Sequence, residues 1–290
     1  MRKSLLLSTI LASIGAFVLV GGVLLLLDPG APKHEAIKTG GLAGGAIVAL
    51  YALWLNDRRR KVEEARQELE AQRIDHDRSR VADERFARAV ELLGHETAQV
   101  RVGAMHALAG LAKSRVEYTQ TVLDILCAYL RQPYKRSPDD EDAGEIELEV
   151  RLTSQRLVED LLPRLEDKNP VHYDLNLTKA HLEYMDLSYR QVGDLIMRVA
   201  HLNESNAFHH MVVHGDVYLT DAEVTGRLYM HHNDFRRKAW FSRVKSRGLA
   251  VFTETKFGGE TKFSNSEWAD VKADGCAFAV AADLPEAWRN

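Results

Sequence analysis

From Leu5 to Leu27 the chain runs 23 residues without a charge. At a helical rise of about 1.5 Å per residue that run covers about 34 Å, enough for the hydrocarbon core of a bilayer. Asp28-Pro29-Gly30-Ala31-Pro32 ends it with two prolines and a glycine, and a second uncharged run, Thr39 to Leu55, follows at once. The pattern predicts a two-helix transmembrane hairpin whose partner is the lipid bilayer. Gly40 with Gly44 and Gly41 with Gly45 form overlapping small-xxx-small pairs, a face along which helix backbones approach closely; a homodimer through it stays open. Arg2 and Lys3 precede the hairpin and Arg58-Arg59-Arg60-Lys61 follows it, against only Lys33 and Lys38 in the turn. That bias predicts two spans in a bacterial plasma membrane with both termini cytoplasmic. A cleaved signal peptide is rejected, because the first run is too long, lacks a small-x-small site before Asp28 and is followed by a second run.

Beyond Asn56 the chain turns polar. Residues 58–81 are dense in charges of both signs, without Gly or Pro, and read as a solvated helical stalk; Val62, Leu69 and Ile74 are too sparse for a coiled-coil seam. Helical spacing then returns in Phe86, Ala89, Val90 and Leu93, ending at Gly94. It continues in Val100, Ala104, Ala107, Leu108 and Leu111, and again in Val122, Leu123, Leu126 and Leu130. Arg131 to Glu145 is a linker by composition. Its run Asp139-Asp140-Glu141-Asp142 fails as a calcium loop, because Ala143 and Val150 stand where ligands are required. A fourth helix, about Glu147 to Leu165, carries Val150, Leu157, Leu161 and Leu165 and is stopped by Asn169-Pro170.

A different period begins near Leu175. Leu177, Leu182, Leu187, Val192, Met197 and Leu202 recur every five residues; then Phe208, Val213, Leu219, Val224, Met230, Phe235, Phe241, Ser246, Phe252, Phe257, Phe263 and Trp268 alternate steps of six and five. Apolar residues make up 46% of the chain, yet all but Ser246 on this register are apolar, so the repeat is not chance. A period of five fits neither strand nor helix. It fits a solenoid that turns a corner at each unit, with Ala180, Leu195, Ala200, Val217, Ala222, Leu228, Ala239, Val244 and Ala250 as a second inward set. Coils stacked about 4.8 Å apart would make a rod of roughly 24 Å.

Tyr173-Asp174-Leu175-Asn176-Leu177-Thr178-Lys179-Ala180-His181-Leu182 resembles the A(D/N)LXX unit of the pentapeptide-repeat family, and Gly215-Asp216-Val217-Tyr218-Leu219 its eleven-residue variant. Glu84-Arg85-Phe86, Leu92-Leu93-Gly94 and Val100-Arg101-Val102-Gly103 resemble the helical segment before such repeats in actinobacterial membrane proteins. The resemblance implies a right-handed quadrilateral β-helix. The expected fold class is therefore α plus β-solenoid: hairpin 1–57, stalk 58–81, helical domain 82–168, β-helix 171–280 and tail 281–290. Arg190, Ser246 and the histidine-rich turns depart from the repeat and predict local distortion.

Charge narrows the function. The whole chain carries −4, which fits no basic nucleic-acid binder. Some pentapeptide-repeat proteins mimic DNA with an acidic rod, but between Val171 and Val280 Lys and Arg total 13 against 14 for Asp and Glu. An inhibitor of a nucleic-acid enzyme is thus a lesser alternative, with no nucleic-acid partner expected. No Walker loop, HExxH, GxSxG or paired CxxC assigns a catalytic residue, and Cys127 and Cys276 have no metal spacing. Residues 21 or 22 apart stack on one face, which aligns Ile196, Tyr218 and Trp240, with Lys262 beyond, as a candidate surface for an unidentified protein partner. The same spacing stacks His209 on His231 and His210 on His232, with Glu254 one coil further, a corner able to bind zinc or sense pH. The leading expectation is a non-enzymatic, membrane-anchored scaffold without a cofactor; a metal- or pH-responsive sensor is the alternative.

Overall fold

The computed structural model of the chain describes residues 2–27, 33–134, 141–285 and 288. The chain divides into two compact units, Met1–Arg80 and Val81–Asn290. The Asp28–Pro32 turn and most of the predicted linker, 135–140, lie outside the described residues.

In the first unit, α1 spans Arg2–Leu27 and α2 begins at Lys33. Ser13 Oγ donates to the Gly44 carbonyl at 3.0 Å, and a Cβ on Gly40 would lie 2.8 Å from the Phe17 carbonyl oxygen, so the small-residue face of α2 receives α1. Among the described residues, one helix is long and apolar enough to cross a membrane by length and composition, within Ile37–Leu93; Leu7–Val23 is a shorter apolar stretch. Residues 58–81 are helical and almost wholly exposed, as part of one longer helix. α2 runs unbroken from Lys33 to Leu93, taking in Lys33 and Lys38 of the expected turn, the second apolar run and the Phe86–Leu93 helix. The reason is local: no Gly or Pro interrupts 56–93, and the i,i+4 ion pairs Asp57–Lys61 (2.9 Å), Arg60–Glu64 (2.9 Å) and Arg66–Glu70 (3.5 Å) support the helix.

In the second unit α3 (Ala98–Ser114), α4 (Thr119–Leu130) and α5 (Glu141–Leu161) precede the repeat. α5 starts and stops earlier than its apolar spacing predicts: Pro163 ends it, and Leu165 is exposed instead of buried. Helices and repeat share one continuous hydrophobic core, so residues 168–171 mark no break in packing.

The repeat is a β-solenoid of about five turns. Two-residue strands headed by Leu175, Leu195, Val217, Ala239 and Thr261 form one five-stranded parallel sheet, and those headed by Gln191, Val212, Asp234, Lys256 and Ala277 another. The third sheet includes the strands headed by His181, His201, Glu223, Arg227 and Ser205 and the longer Lys245–Val251. The inward register is buried at every position from Leu177 to Trp268, and so is the second set from Ala180 to Ala250. Ser246, the polar exception, donates to the Gly248 carbonyl at 3.1 Å where the ladder slips register between Ser246 and Leu249.

Both ends of the coil are covered, as a solenoid requires. At the first turn Gln120 of α4 exchanges two 2.9 Å hydrogen bonds with the Asp174 backbone. Gln155 of α5 donates to the Glu183 carbonyl at 3.1 Å, and Arg190, off the repeat, pairs with Glu159 at 2.8 Å. The buried Arg151 guanidinium donates to the Leu130 carbonyl at the C-terminus of α4 and to the His181 carbonyl (3.2 Å), where the helix dipole favours a cation. At the last turn Trp288 packs on Phe263 and Phe252, with ring centroids 4.4 and 4.9 Å away, and Leu284 and Trp288 of the expected tail are partly buried against the core.

The corners use left-handed backbone. Val199, His210, Asp221, His232, Arg243, Glu254 and Asn265 all have φ between 55° and 60°, one per eleven residues. Val199 is the misfit, because a β-branched side chain is strained there. Val199→Asn is expected to stabilise the protein by about 1 kcal/mol, seen as a raised thermal midpoint; an unchanged or lowered midpoint would contradict the assignment of strain.

Candidate functional site

Two surface features were expected from the spacing, and each can be followed from the ladder outward. On the first sheet Ile196 pairs with Tyr218, Tyr218 with Trp240, and Trp240 with Lys262. Alternation along each two-residue strand turns the first side chain inward and the second outward, so Leu195, Val217 and Ala239 are buried while Ile196, Tyr218 and Trp240 are half-buried. Tyr218 and Trp240 meet edge to face with centroids 5.4 Å apart. The face is not bare. The Arg198 guanidinium lies 4.3 Å over Tyr218, and the Lys262 and Lys238 ammonium groups lie 4.4 and 5.7 Å from the Trp240 ring centroid. Acids flank it: Tyr218 donates to Asp216 at 3.0 Å, and Lys262 pairs with Glu260 at 2.9 Å and holds that carboxyl below its usual range. The surface therefore offers flat aromatic area set in alternating charge, a chemistry suited to polar, specific contacts.

The second feature is the histidine corner. His210 and His232 occupy left-handed positions one coil apart, and each follows a second histidine. His209 stacks on His231 at 4.5 Å with planes 10° apart, and His210 on His232 at 4.7 Å and 8°. Between the sequence neighbours His209 and His210, and again between His231 and His232, the Nδ1 atoms approach to 2.9 Å, so one ring donates its proton to the other's lone pair. His232 Nε2 reaches Glu254 at 3.1 Å, so the structure joins all five residues that the spacing places here. Burial, then the neighbouring histidines, pushes His231 down to about 4. His210 is lowered by burial and then by His209; His209 is lowered chiefly by burial, which outweighs the opposing Asp186. These three rings are neutral at pH 7.

Several participants were not singled out in the sequence. Tyr189 extends the stack, 4.7 Å from His210 and nearly parallel to it; it too lies at a left-handed corner, and its 21-residue distance from His210 was the available signal. Behind the corner, buried Asn233 donates to the Phe208 (2.7 Å) and Met230 (2.8 Å) carbonyls and accepts from Met211 N–H at 2.8 Å, fixing both histidine turns from inside. A second stack joins His181 to His201 at 4.5 Å, and a third His172 to His214 at 3.5 Å. No family model, curated protein or solved structure matches the chain.

Proposed function

We propose that the protein is a non-enzymatic scaffold held in a bacterial plasma membrane by a hairpin of α1 and α2, with both termini cytoplasmic, whose β-solenoid presents the Tyr218–Trp240 face to a protein partner. The observation that carries the reading is the conjunction of that aligned aromatic face with helices whose apolar side chains, including Leu7, Leu11, Val18, Leu42, Leu50 and Leu53, are exposed. Such side chains are stable in lipid and costly in water. The Arg58–Lys61 cluster supports the cytoplasmic side.

The coil is read as right-handed and four-sided, in the manner of the pentapeptide-repeat family that the sequence resembles. Support comes from Lys245–Val251, whose first residues pair with Glu223–Val224 and whose last pair with Leu228–Tyr229, so one strand carries two sides around a corner. Crosslinking in membranes followed by recovery of the full chain tests the binding face. Trp240→Ala is expected to lose the principal crosslinked species while the far-UV circular dichroism stays unchanged; an unchanged set of crosslinks would remove this face from the proposal, and crosslinks confined to a second copy would make the partner a homodimer.

A further inference from the structure

The solenoid's histidine corner has a composition that the scaffold reading does not use. One ligand atom from each of His209, His210 and His231 lies within 4.8 Å of the other two, and all three rings are half-buried and so reachable from solvent. We propose that these three imidazoles form a zinc site, with solvent completing the coordination.

Four physical arguments converge on it. First, the donor set is right: imidazole nitrogen suits zinc and the later first-row divalent ions, and three histidines with an open fourth position is a known zinc arrangement. Second, two of the three ligands already stand near the required spacing, while His231, stacked parallel on His209, must turn toward them. Two nitrogens on a tetrahedral zinc with bonds of about 2.0–2.1 Å stand about 3.3 Å apart, whereas His209 and His210 Nδ1 stand 2.9 Å apart, so a modest turn of the rings opens room for the ion. The hydrogen bond between them is exchanged for two metal bonds, and the shared proton moves to Nε2 of its own ring, so no net proton need leave. Third, all three rings are half-buried, so an ion that reaches them from solvent is partly shielded from competing water. Fourth, the site has support. His231 is held by His232, which is held by Glu254, a carboxylate–histidine chain of the kind that orients metal-bound imidazoles. Left-handed backbone at His210 and His232 and the buried Asn233 amide fix the two turns beneath.

The competing explanation is that Tyr189, His210 and His232 simply form an aromatic ladder. Phenylalanine separates the two, because it keeps the ring and removes the ligand. The untagged full chain in detergent is titrated with zinc by calorimetry, then dialysed and its metal content measured. The wild type is expected to retain stoichiometric zinc and to show a thermal midpoint that rises with zinc and falls back with a chelator. His231→Phe and His209→Phe are expected to weaken binding by about 100-fold or more, His232→Gln by about 10-fold through the lost support, and His201→Phe, in the separate stack, not at all. A wild type that retains no zinc and shows no zinc-dependent midpoint overturns the site, as does a folded His231→Phe that binds as tightly as wild type. Should either phenylalanine variant misfold, the midpoint shift of the wild type against His201→Phe decides alone.

Discussion

Phe241→Ala lowers the free energy of unfolding by about 4 kcal/mol, the range for removing a fully buried aromatic ring from a packed core. Phe241 is fully buried at the centre of a set of rings contributed by successive turns. It stacks on Phe263 at 4.9 Å with planes 7° apart, and meets Phe252 edge to face at 5.4 Å and Phe257 at 6.3 Å. Phe257 lies in a two-residue strand paired on both sides, and Phe252 and Phe263, which directly follow strands, donate their N–H groups to the Lys272 and Asp283 carbonyls of the next turn, so the walls of the cavity have little freedom to collapse. Phe278 provides the contrast. It stacks on Phe257 at 4.8 Å but lies half-buried in the last turn with no full coil beyond it. Phe278→Ala should therefore cost less than half as much. Denaturant titration of the full chain in detergent, followed by far-UV circular dichroism, measures both; equal losses at the two positions would show that the interior is fluid and that the ring set is not a rigid core.

The inward register was legible because it has one physical cause that acts locally. Every turn must bury one large side chain per side, so Leu177 through Trp268 can be read off the chain without knowing how the sides are arranged. The 22-residue coil follows from it, and that number alone brought Tyr218 beside Trp240 and His209 beside His231. What the spacing does not carry is anything set by tertiary position. Of the left-handed corners, Asn265 is marked by its residue type, but Val199, His210, His232, Arg243 and Glu254 are neither glycine nor asparagine. Gln120, Arg151 and Gln155 read as ordinary helix-surface residues, yet they satisfy the open backbone of the first turn. Lys262 over Trp240 follows from the column spacing, but Arg198 over Tyr218 and Lys238 over Trp240 do not, because they look like solvated charge until the coil closes. The length of α2 was misjudged from composition, which changes sharply at Asn56 although the backbone does not.

Gly248→Ala should be nearly as damaging as loss of Phe241, and for a reason that lies in the backbone. A Cβ at Gly248 would stand 1.9 Å from the Gly226 carbonyl oxygen and 2.7 Å from its carbon; a Cβ at Gly226 would in turn stand 1.8 Å from the Glu204 carbonyl oxygen. Neither φ is left-handed, so the constraint is steric and not conformational. Relief would require one coil to move away from the next, but the flanking residues hold the spacing: Arg227 N–H donates to the Glu204 carbonyl, and Leu228 and Tyr229 pair with Ala250 and Val251. Moving Gly248 also disturbs the register slip that lets Ser246 occupy an inward position, because the Ser246 hydroxyl donates to the Gly248 carbonyl. The expected cost is on the order of 3 kcal/mol, carried by lost ladder hydrogen bonds and not by a cavity. Gly110 in α3 makes the opposite case. It is exposed, with nothing within 4 Å of its Cβ position, so Gly110→Ala should stabilise the chain by about 1 kcal/mol through helix propensity. Chemical denaturation of the two variants side by side gives shifts of opposite sign if coil contact, and not general intolerance of larger residues, governs the solenoid; a Gly248→Ala variant as stable as wild type would mean that adjacent turns are free to separate.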